Sequence, residues 1–197
     1  KFGYIDKTGS YVINPQFDDA DDFTDNGLAC VESGDMYGYI DKTGSYAINP
    51  QFFFAYSFTD DGLALIDDDG KYGYIDKTGS YAINPQFDDA NSFNEGVAVV
   101  KLGDRYALID TQGKYIVNPM YDDMGRRISS GLVYFADEDG KIGYLNTSGE
   151  EIVPAQFDYL YSYDGRYYSF ATADNFYDDG YAIIRMGDSF GVIDKTG

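Results

Sequence analysis

The sequence has 197 residues, of which 14 are basic and 34 acidic, so that its formal net charge is −20. A surface this acidic repels nucleic-acid phosphates and anionic headgroups, and no apolar run approaches the length of a membrane span, so neither nucleic-acid binding nor membrane insertion is expected. Histidine is absent and Cys30 is the only cysteine, which excludes a Ser-His-Asp triad, a Cys-His dyad and an intrachain disulfide.

The first segment of the chain, Phe2 to Gly9, returns throughout the sequence. Related segments begin at Tyr37, Tyr72, Tyr106, Ile142 and Phe190, at intervals of 35, 35, 34, 36 and 48 residues. Such a period indicates structural repeats that stack to share a core. The copies span about 1–35, 36–70, 71–105, 106–140 and 141–188, and a sixth begins at 189–197. Because the sequence begins and ends inside a copy, we expect it to be a fragment of a longer protein that carries further copies.

Copy two shows the elements that we predict for each copy. Residues 37–41 alternate large and small side chains, as a strand does, and 41–44 predict a tight turn whose Gly44 accepts a positive φ. A second strand, residues 45–48, is predicted to end at Asn49-Pro50, because proline has no amide hydrogen for a central ladder.

The rest of copy two crosses to a third strand. A polar and aromatic segment, residues 51–61, leads to a predicted strand at 62–66, and 67–70 predict the turn into copy three. We expect the aromatic residue of the crossing, Phe58 here, to fold back over the sheet. Cys30 stands where copy two carries Leu65, which predicts a buried small hydrophobe.

Three short strands per copy predict an all-β fold, a tandem array of three-stranded antiparallel meanders. We favour an open, twisted solenoid because the copies are shorter than a usual propeller blade of four strands. A closed β-propeller is the alternative.

The recurring pattern opens with an aromatic residue, which is followed by Gly, then by Tyr or Val, and then by Ile-Asp-x-x-Gly. The segment Ile-Asn-Pro-Gln-Phe-Asp comes next, and Gly-Leu-Ala or Gly-Val-Ala comes later in the copy. This pattern resembles the WG-repeat (KWG) family of bacterial proteins over essentially the whole chain. The tryptophan that names the family is replaced here by Phe2, Tyr37, Tyr72, Tyr106, Ile142 and Phe190. The resemblance implies a binding or spacer module, carries no catalytic motif, and favours the extracellular space or the surface of a bacterium.

Acidic turns are the candidates for metal binding. Oxygen-rich loops suit Ca²⁺, although neither Asp67-Asp68-Asp69-Gly70 nor Asp137-Glu138-Asp139-Gly140 matches an EF-hand loop. Asp67, Asp69, Asp137 and Asp139 are therefore weak calcium candidates, and an ordinary hairpin turn is the favoured interpretation. No other cofactor is expected.

Copy two departs from the pattern of the other copies. Phe53 and Phe54 stand where copies one and three carry paired aspartates, and Tyr56 follows them. An exposed aromatic run marks a partner or ligand site. The alternative is that these rings cover a neighbouring copy.

Copy five departs by its length, and the added residues are rich in tyrosine. Tyr161, Tyr163, Tyr167 and Tyr168 lie in this insertion. Tyrosine offers a large amphipathic contact area, so the insertion is a second candidate binding surface. The alternative is an extra hairpin that turns at Asp164-Gly165.

These observations leave two functional hypotheses. The first is a non-catalytic scaffold, spacer or protein-interaction module of a larger bacterial protein. The second is a carbohydrate-binding module for cell-wall or host glycans, which would use the exposed aromatic residues. Catalysis is not expected, because the sequence lacks the motifs of a nucleophile, a phosphate loop or a dinucleotide site.

Overall fold

The computed structural model describes residues 1–158, 176–177 and 179–197, and within them it contains strands and turns but no helix. None of these residues therefore lies in a helix long and apolar enough to cross a membrane. The chain forms two compact units, residues 1–93 with 111–113 and residues 94–110 with 114–197. The all-β prediction is confirmed.

The strands fall into two series. Those of the first unit are β1 (Phe2–Ile5), β2 (Tyr11–Phe17), β3 (Asp19–Ala20), β4 (Ala29–Glu32), β5 (Tyr37–Ile40), β6 (Tyr46–Phe52), β7 (Phe54–Ala55), β8 (Ala64–Asp68), β9 (Lys71–Ile75), β10 (Tyr81–Phe87) and β11 (Asp89–Ala90). Those of the second unit are β12 (Val97–Leu102), β13 (Arg105–Asp110), β14 (Tyr115–Tyr121), β15 (Asp123–Met124), β16 (Leu132–Ala136), β17 (Lys141–Asn146), β18 (Glu151–Asp158), β19 (Tyr181–Met186) and β20 (Ser189–Asp194).

The sheets are small, antiparallel and built from strands in sequence order. The first unit holds a two-stranded sheet, β1-β2, and two four-stranded sheets, β3-β4-β5-β6 and β7-β8-β9-β10. In the second unit β12, β13 and β14 pair in that order, and β15 to β20 form a six-stranded sheet. Each four-stranded sheet of the first unit takes two strands from one copy and two from the next, which links successive copies.

The three-stranded meander joins the third strand of one copy to the first two strands of the next, as β8 joins β9 and β10, and carries an additional strand at its edge. Within the crossing of copy two, β7 pairs with β8 through Phe54 opposite Asp67 and Ala55 opposite Ile66. The same short strand recurs as β3 and β15. Two residues are too few to show the alternation by which a strand is recognised in a sequence.

The prediction that a strand ends at Asn49-Pro50 is wrong, because β6 continues to Phe52. Tyr39 pairs with Ile48 and Tyr37 with Phe52, so the register shifts around the proline. Where the register shifts, not every residue donates an amide hydrogen bond to the opposite strand, so proline is tolerated there.

The two strands approach closely at this irregular stretch. A methyl group on Gly38 would lie 2.6 Å from the Pro50 nitrogen and 2.7 Å from the Ile48 oxygen, so glycine gives the room that the approach needs. Copy four accommodates Ala107 at this position, with its side chain fully buried.

The aromatic residue of the crossing folds back over the sheet, as predicted. The Phe58 ring lies 4.8 Å from the Tyr39 ring between centroids, and both side chains are buried. The Tyr39 hydroxyl donates a 2.7 Å hydrogen bond to the carbonyl of Tyr56, which satisfies the buried hydroxyl. Burial raises the pKa of Tyr39 above its ordinary value. The same ring pair and hydrogen bond recur at Tyr4–Phe23 and Tyr74–Phe93.

Successive copies meet where the first turn of one copy covers an aliphatic side chain of the copy before it. A methyl group on Gly79 of copy three would lie 3.1 Å from Cγ2 of Ile48 in copy two. Ile48 is itself buried with Tyr39 and Phe52 in one apolar cluster. The equivalent pairs are Gly44 with Ile13, Gly113 with Ile83, Gly149 with Val117, and Gly197 with Val153.

In each copy, the side chain of the residue that begins the first turn closes that turn. Asp41 Oδ1 accepts hydrogen bonds from the backbone of Thr43 (2.8 Å), the Thr43 hydroxyl (2.6 Å) and the backbone of Ser45 (3.1 Å). These bonds, led by the one from the hydroxyl, lower the pKa of the Asp41 carboxyl. Asp6 and Asp76 have the same partners in their own turns and the same direction of pKa shift. Copy five uses Asn146 instead, whose Oδ1 accepts the equivalent bonds.

We expect the combined variant Asp6→Asn, Asp41→Asn and Asp76→Asn to lose less stability in acid than the wild type. A carboxyl whose folded pKa is lowered stabilises the fold above its unfolded pKa of about 3.9, and this contribution is lost as the pH falls through the folded pKa. Asparagine keeps the acceptor, as Asn146 shows, but does not titrate. Urea unfolding midpoints at pH 7 and pH 3 measure the difference.

The matched control for this acid experiment is Asp104→Asn, which removes an exposed carboxylate outside these turns. The control is expected to lose stability between the two pH values as the wild type does. An equal loss in the triple variant and the wild type would contradict the assignment of acid sensitivity to these turns.

Candidate functional site

A groove of about 190 Å³ lies on the first unit, between the sheet β3-β4-β5-β6 and the short strand β7. Its floor includes the apolar side chain of Cys30. Its walls combine two kinds of side chain, the carboxylates of Asp19, Asp21 and Glu32 and the aromatic rings of Tyr37, Phe54 and Tyr56.

The aromatic wall is a contiguous set of rings. The Phe54 ring lies 5.0 Å from the Tyr37 ring and meets the Tyr56 ring edge-on at 4.9 Å, between centroids. Phe54 remains 41% exposed and Tyr56 44%. The three rings therefore pack on one another within copy two, and Phe54 and Tyr56 still face solvent.

Phe53 precedes Phe54 in the sequence and is not among the residues that line the groove. It is 58% exposed, which places it among the most exposed large apolar side chains of the first unit. Phe53, Phe54 and Tyr56, the three residues singled out in copy two, thus all lie at the surface.

The acidic wall gives the groove a negative potential. Asp19 Oδ1 accepts a hydrogen bond from the backbone of Ala20 (2.9 Å), and Asp21 Oδ2 accepts one from the hydroxyl of Ser57 (2.7 Å). Burial and then the carboxylates of Glu32 and Asp19 raise the pKa of Tyr37. No lysine or arginine is among the residues that line the groove.

Cys30 lies in the floor of the groove and is 3% exposed, as its apolar neighbours in the sequence predict. Its thiol contacts the carbonyl of Ala55 at 3.5 Å. Burial, followed by the nearby Asp21 carboxylate, raises the pKa of the thiol to about 12. The thiol is therefore protonated at neutral pH and serves as part of the apolar floor.

Copy two lacks an ion pair that the other copies share. A basic residue directly before the residue that opens each repeat pairs with an acidic residue 17 positions later, as Lys71, which precedes Tyr72, does through Nζ with Asp88 Oδ1 at 2.5 Å. The equivalent pairs are Lys1 with Asp18, Arg105 with Asp122, and Lys141 with Asp158. In copy two the two positions hold Met36 and Phe53. Exposed pairs of this kind contribute about 1 kcal/mol or less, so their replacement changes the surface more than the stability.

Sequence comparison of the copies found Phe53 and Phe54 but missed Met36 and the acidic wall. The missing basic residue at Met36 can be found by aligning the copies 17 residues upstream of Phe53. The acidic wall has no such signal, because Asp19 and Glu32 belong to copy one and reach the groove only through sheet packing.

The calcium candidates lie at two separate turns, where Asp67 and Asp137 accept backbone hydrogen bonds. Asp67 Oδ1 accepts a 2.8 Å hydrogen bond from the Gly70 backbone, and Asp69 has a positive φ of 55°. Asp137 Oδ1 accepts bonds from the backbones of Asp139 (3.0 Å) and Lys141 (2.8 Å). The described part of the chain contains no group of three carboxylate, cysteine or histidine side chains arranged to hold a metal.

The tyrosine-rich candidates Tyr161, Tyr163, Tyr167 and Tyr168 lie outside the described residues. A second groove of the first unit, about 240 Å³, is lined by Asn26, Phe58 and Lys77 among others. The side-chain nitrogen of Asn26 is buried and has no hydrogen-bond partner among the described residues. None of the predicted site residues lines this second groove.

Comparison with known proteins identifies the repeat. A family model described as "WG containing repeat" matches residues 2–37, 37–72, 72–106, 106–141 and 142–167 in succession. No curated protein matches the sequence significantly.

Three solved structures share part of the backbone arrangement. The computationally designed Ika8 protein has a TM-score of 0.49 at 11% identity, with 96% of this chain and 63% of that chain covered. Virginiamycin B lyase from Staphylococcus aureus has a TM-score of 0.45 at 17% identity, covering 89% and 66%. BamB from Moraxella catarrhalis has a TM-score of 0.41 at 12% identity, with 66% of this chain and 50% of that chain covered. This chain thus spans between half and two thirds of the length of each of these structures.

Proposed function

This chain belongs to the WG-repeat family, and from that premise we propose that it is a non-catalytic protein-interaction scaffold within a larger bacterial protein. The observation that carries the proposal is the surface of copy two, where Met36 and the exposed Phe53 replace the repeated ion pair and the rings of Phe54 and Tyr56 line a groove. Loss of a surface ion pair in favour of exposed apolar side chains is a change that suits a partner surface.

The copied polar groups support a scaffold role because structural contacts use them. The turn aspartates accept backbone hydrogen bonds, as Asp41 does, and the buried hydroxyl of Tyr39 donates to a carbonyl. The copies therefore resemble one another where they build the array and differ where a partner would bind. Similar units at a regular spacing also allow weak contacts to add by avidity.

A carbohydrate-binding module is the second candidate, and the exposed rings of Phe54 and Tyr56 favour it. Aromatic faces stack on sugar rings, and the tyrosine-rich insertion of copy five would extend such a surface. Carbohydrate binding would not require the carboxylates that form the opposite wall of the groove, so we place it second.

A paired screen separates the two candidates. We expect a random peptide-display library to yield peptides that bind the chain, and an array of cell-wall and host glycans to give no signal. The control is the double variant Phe53→Asp, Phe54→Asp, which carries the residues of copies one and three and should lose the selected peptides. Glycan signals that disappear on changing Tyr161, Tyr163, Tyr167 and Tyr168 to Ala, without peptide binders, would overturn the proposal.

A further inference from the structure

We infer that the groove between β3 and β7 binds a lysine or arginine side chain presented by a segment of a protein partner. This inference rests on the proposed role as an interaction module and names the chemistry that the module recognises. It follows from the size of the groove, from the two kinds of wall and from the charge that no lining residue balances.

The size of the groove favours a single side chain. Its volume of about 190 Å³ lies below the ~300 Å³ at which small-molecule pockets begin. The open side borders the exposed rings of Phe54 and Tyr56, so a partner segment can lie across the surface and insert one side chain. The apolar floor at Cys30 would contact the aliphatic stem of that side chain.

The walls select a cation for the end of that side chain. Asp19, Asp21 and Glu32 supply negative charge, and the lining contains no basic residue that would neutralise it. Tyr37, Phe54 and Tyr56 line the groove with aromatic rings, and the face of such a ring attracts a cation through its negative quadrupole. An ammonium or guanidinium group gains from both walls at once through its charge. A sugar can donate hydroxyl hydrogen bonds to the carboxylates but carries no charge, and an apolar side chain gains from the rings alone.

Two residues that precede groove residues in the sequence add to the surface that a partner could contact. Met36 and the 58% exposed Phe53 stand where the other copies pair a basic with an acidic residue, so copy two has no internal cation here. In copies one and three the equivalent aspartates, Asp18 and Asp88, are already held by Lys1 and Lys71. The site is thus specific to copy two rather than a property of every repeat.

The probe that tests the inference is a fluorescein-labelled peptide, Gly-Ser-Gly-Lys-Lys-Gly-Ser-Gly, measured by fluorescence anisotropy. We expect Phe54→Leu, which keeps the apolar bulk and the net charge, to weaken binding about threefold to tenfold through loss of the ring face. Asp19→Asn is expected to weaken binding more than Asp104→Asn, which removes the same charge outside the groove. Acetylation of both lysines should abolish binding.

Two outcomes would overturn the inference. The first is unchanged affinity in Phe54→Leu, and the second is equal weakening by Asp19→Asn and Asp104→Asn, which would show diffuse attraction to the acidic surface. Circular dichroism checks that the variants fold, and copies one and three already fold with Asp19 and Asp89 at the position of Phe54. Neutral or acidic peptides from the display library would overturn this inference and leave the interaction role standing. Glycan binding without peptide binders would overturn the interaction role itself.

Discussion

Replacement of Ile48 by alanine is expected to lower the free energy of unfolding by about 2 to 5 kcal/mol. Ile48 is 3% exposed and belongs to the apolar cluster that contains Tyr39 and Phe52. It also supports the turn of the next copy at Gly79. The substitution therefore leaves a cavity inside one copy and removes its contact with the following one, and chemical unfolding in urea measures the loss.

The matched control is Ile48→Val, because copies four and five carry Val117 and Val153 at this position. Valine keeps the two branches at Cβ and removes only the terminal methyl group, so a loss of about 0.5 to 1.5 kcal/mol is expected. A loss in Ile48→Ala no larger than that in Ile48→Val would show that the contact between copies contributes little to stability.

The turns could be predicted from the sequence because their chemistry is local. Asp41 accepts hydrogen bonds from residues two and four positions ahead, and Gly44 has the positive φ, 84°, that its place in the turn predicts. The fold class followed from the same repetition of turns and alternating segments. In contrast, the passage of β6 through Pro50 depends on the strand opposite, where the register shifts, and nothing in the local sequence indicates it.

Only the aromatic side of the candidate site could be predicted from the sequence. Phe53 and Phe54 stand out because the other copies provide an internal reference for their positions. Asp19 and Glu32 match the pattern of their own copy, so the sequence gives no reason to select them. They become part of a site because the sheet that carries them meets β7 of the next copy. An array hides such a site from the sequence, since the groove is assembled from two copies.

Replacement of Gly79 by alanine is expected to destabilise the protein more than replacement of Gly9, although both glycines have nearly the same φ, +83° and +84°. The left-handed conformation alone costs an L-residue about 1 to 2 kcal/mol, and this cost applies to both variants. A methyl group on Gly9 meets nothing within 4 Å, whereas one on Gly79 lies 3.1 Å from Cγ2 of Ile48. Pressure on that buried side chain adds about 1 to 3 kcal/mol.

A double-mutant cycle attributes this additional loss to the contact between copies. In the Ile48→Ala background the atoms that the new methyl group would press against are gone, so Gly79→Ala should cost no more than Gly9→Ala does. The two substitutions are therefore expected to be non-additive, with a coupling energy of about 1 to 3 kcal/mol. Additive losses would mean that the turn of copy three can move away from copy two without cost, and that the copies are held together by their shared sheets instead.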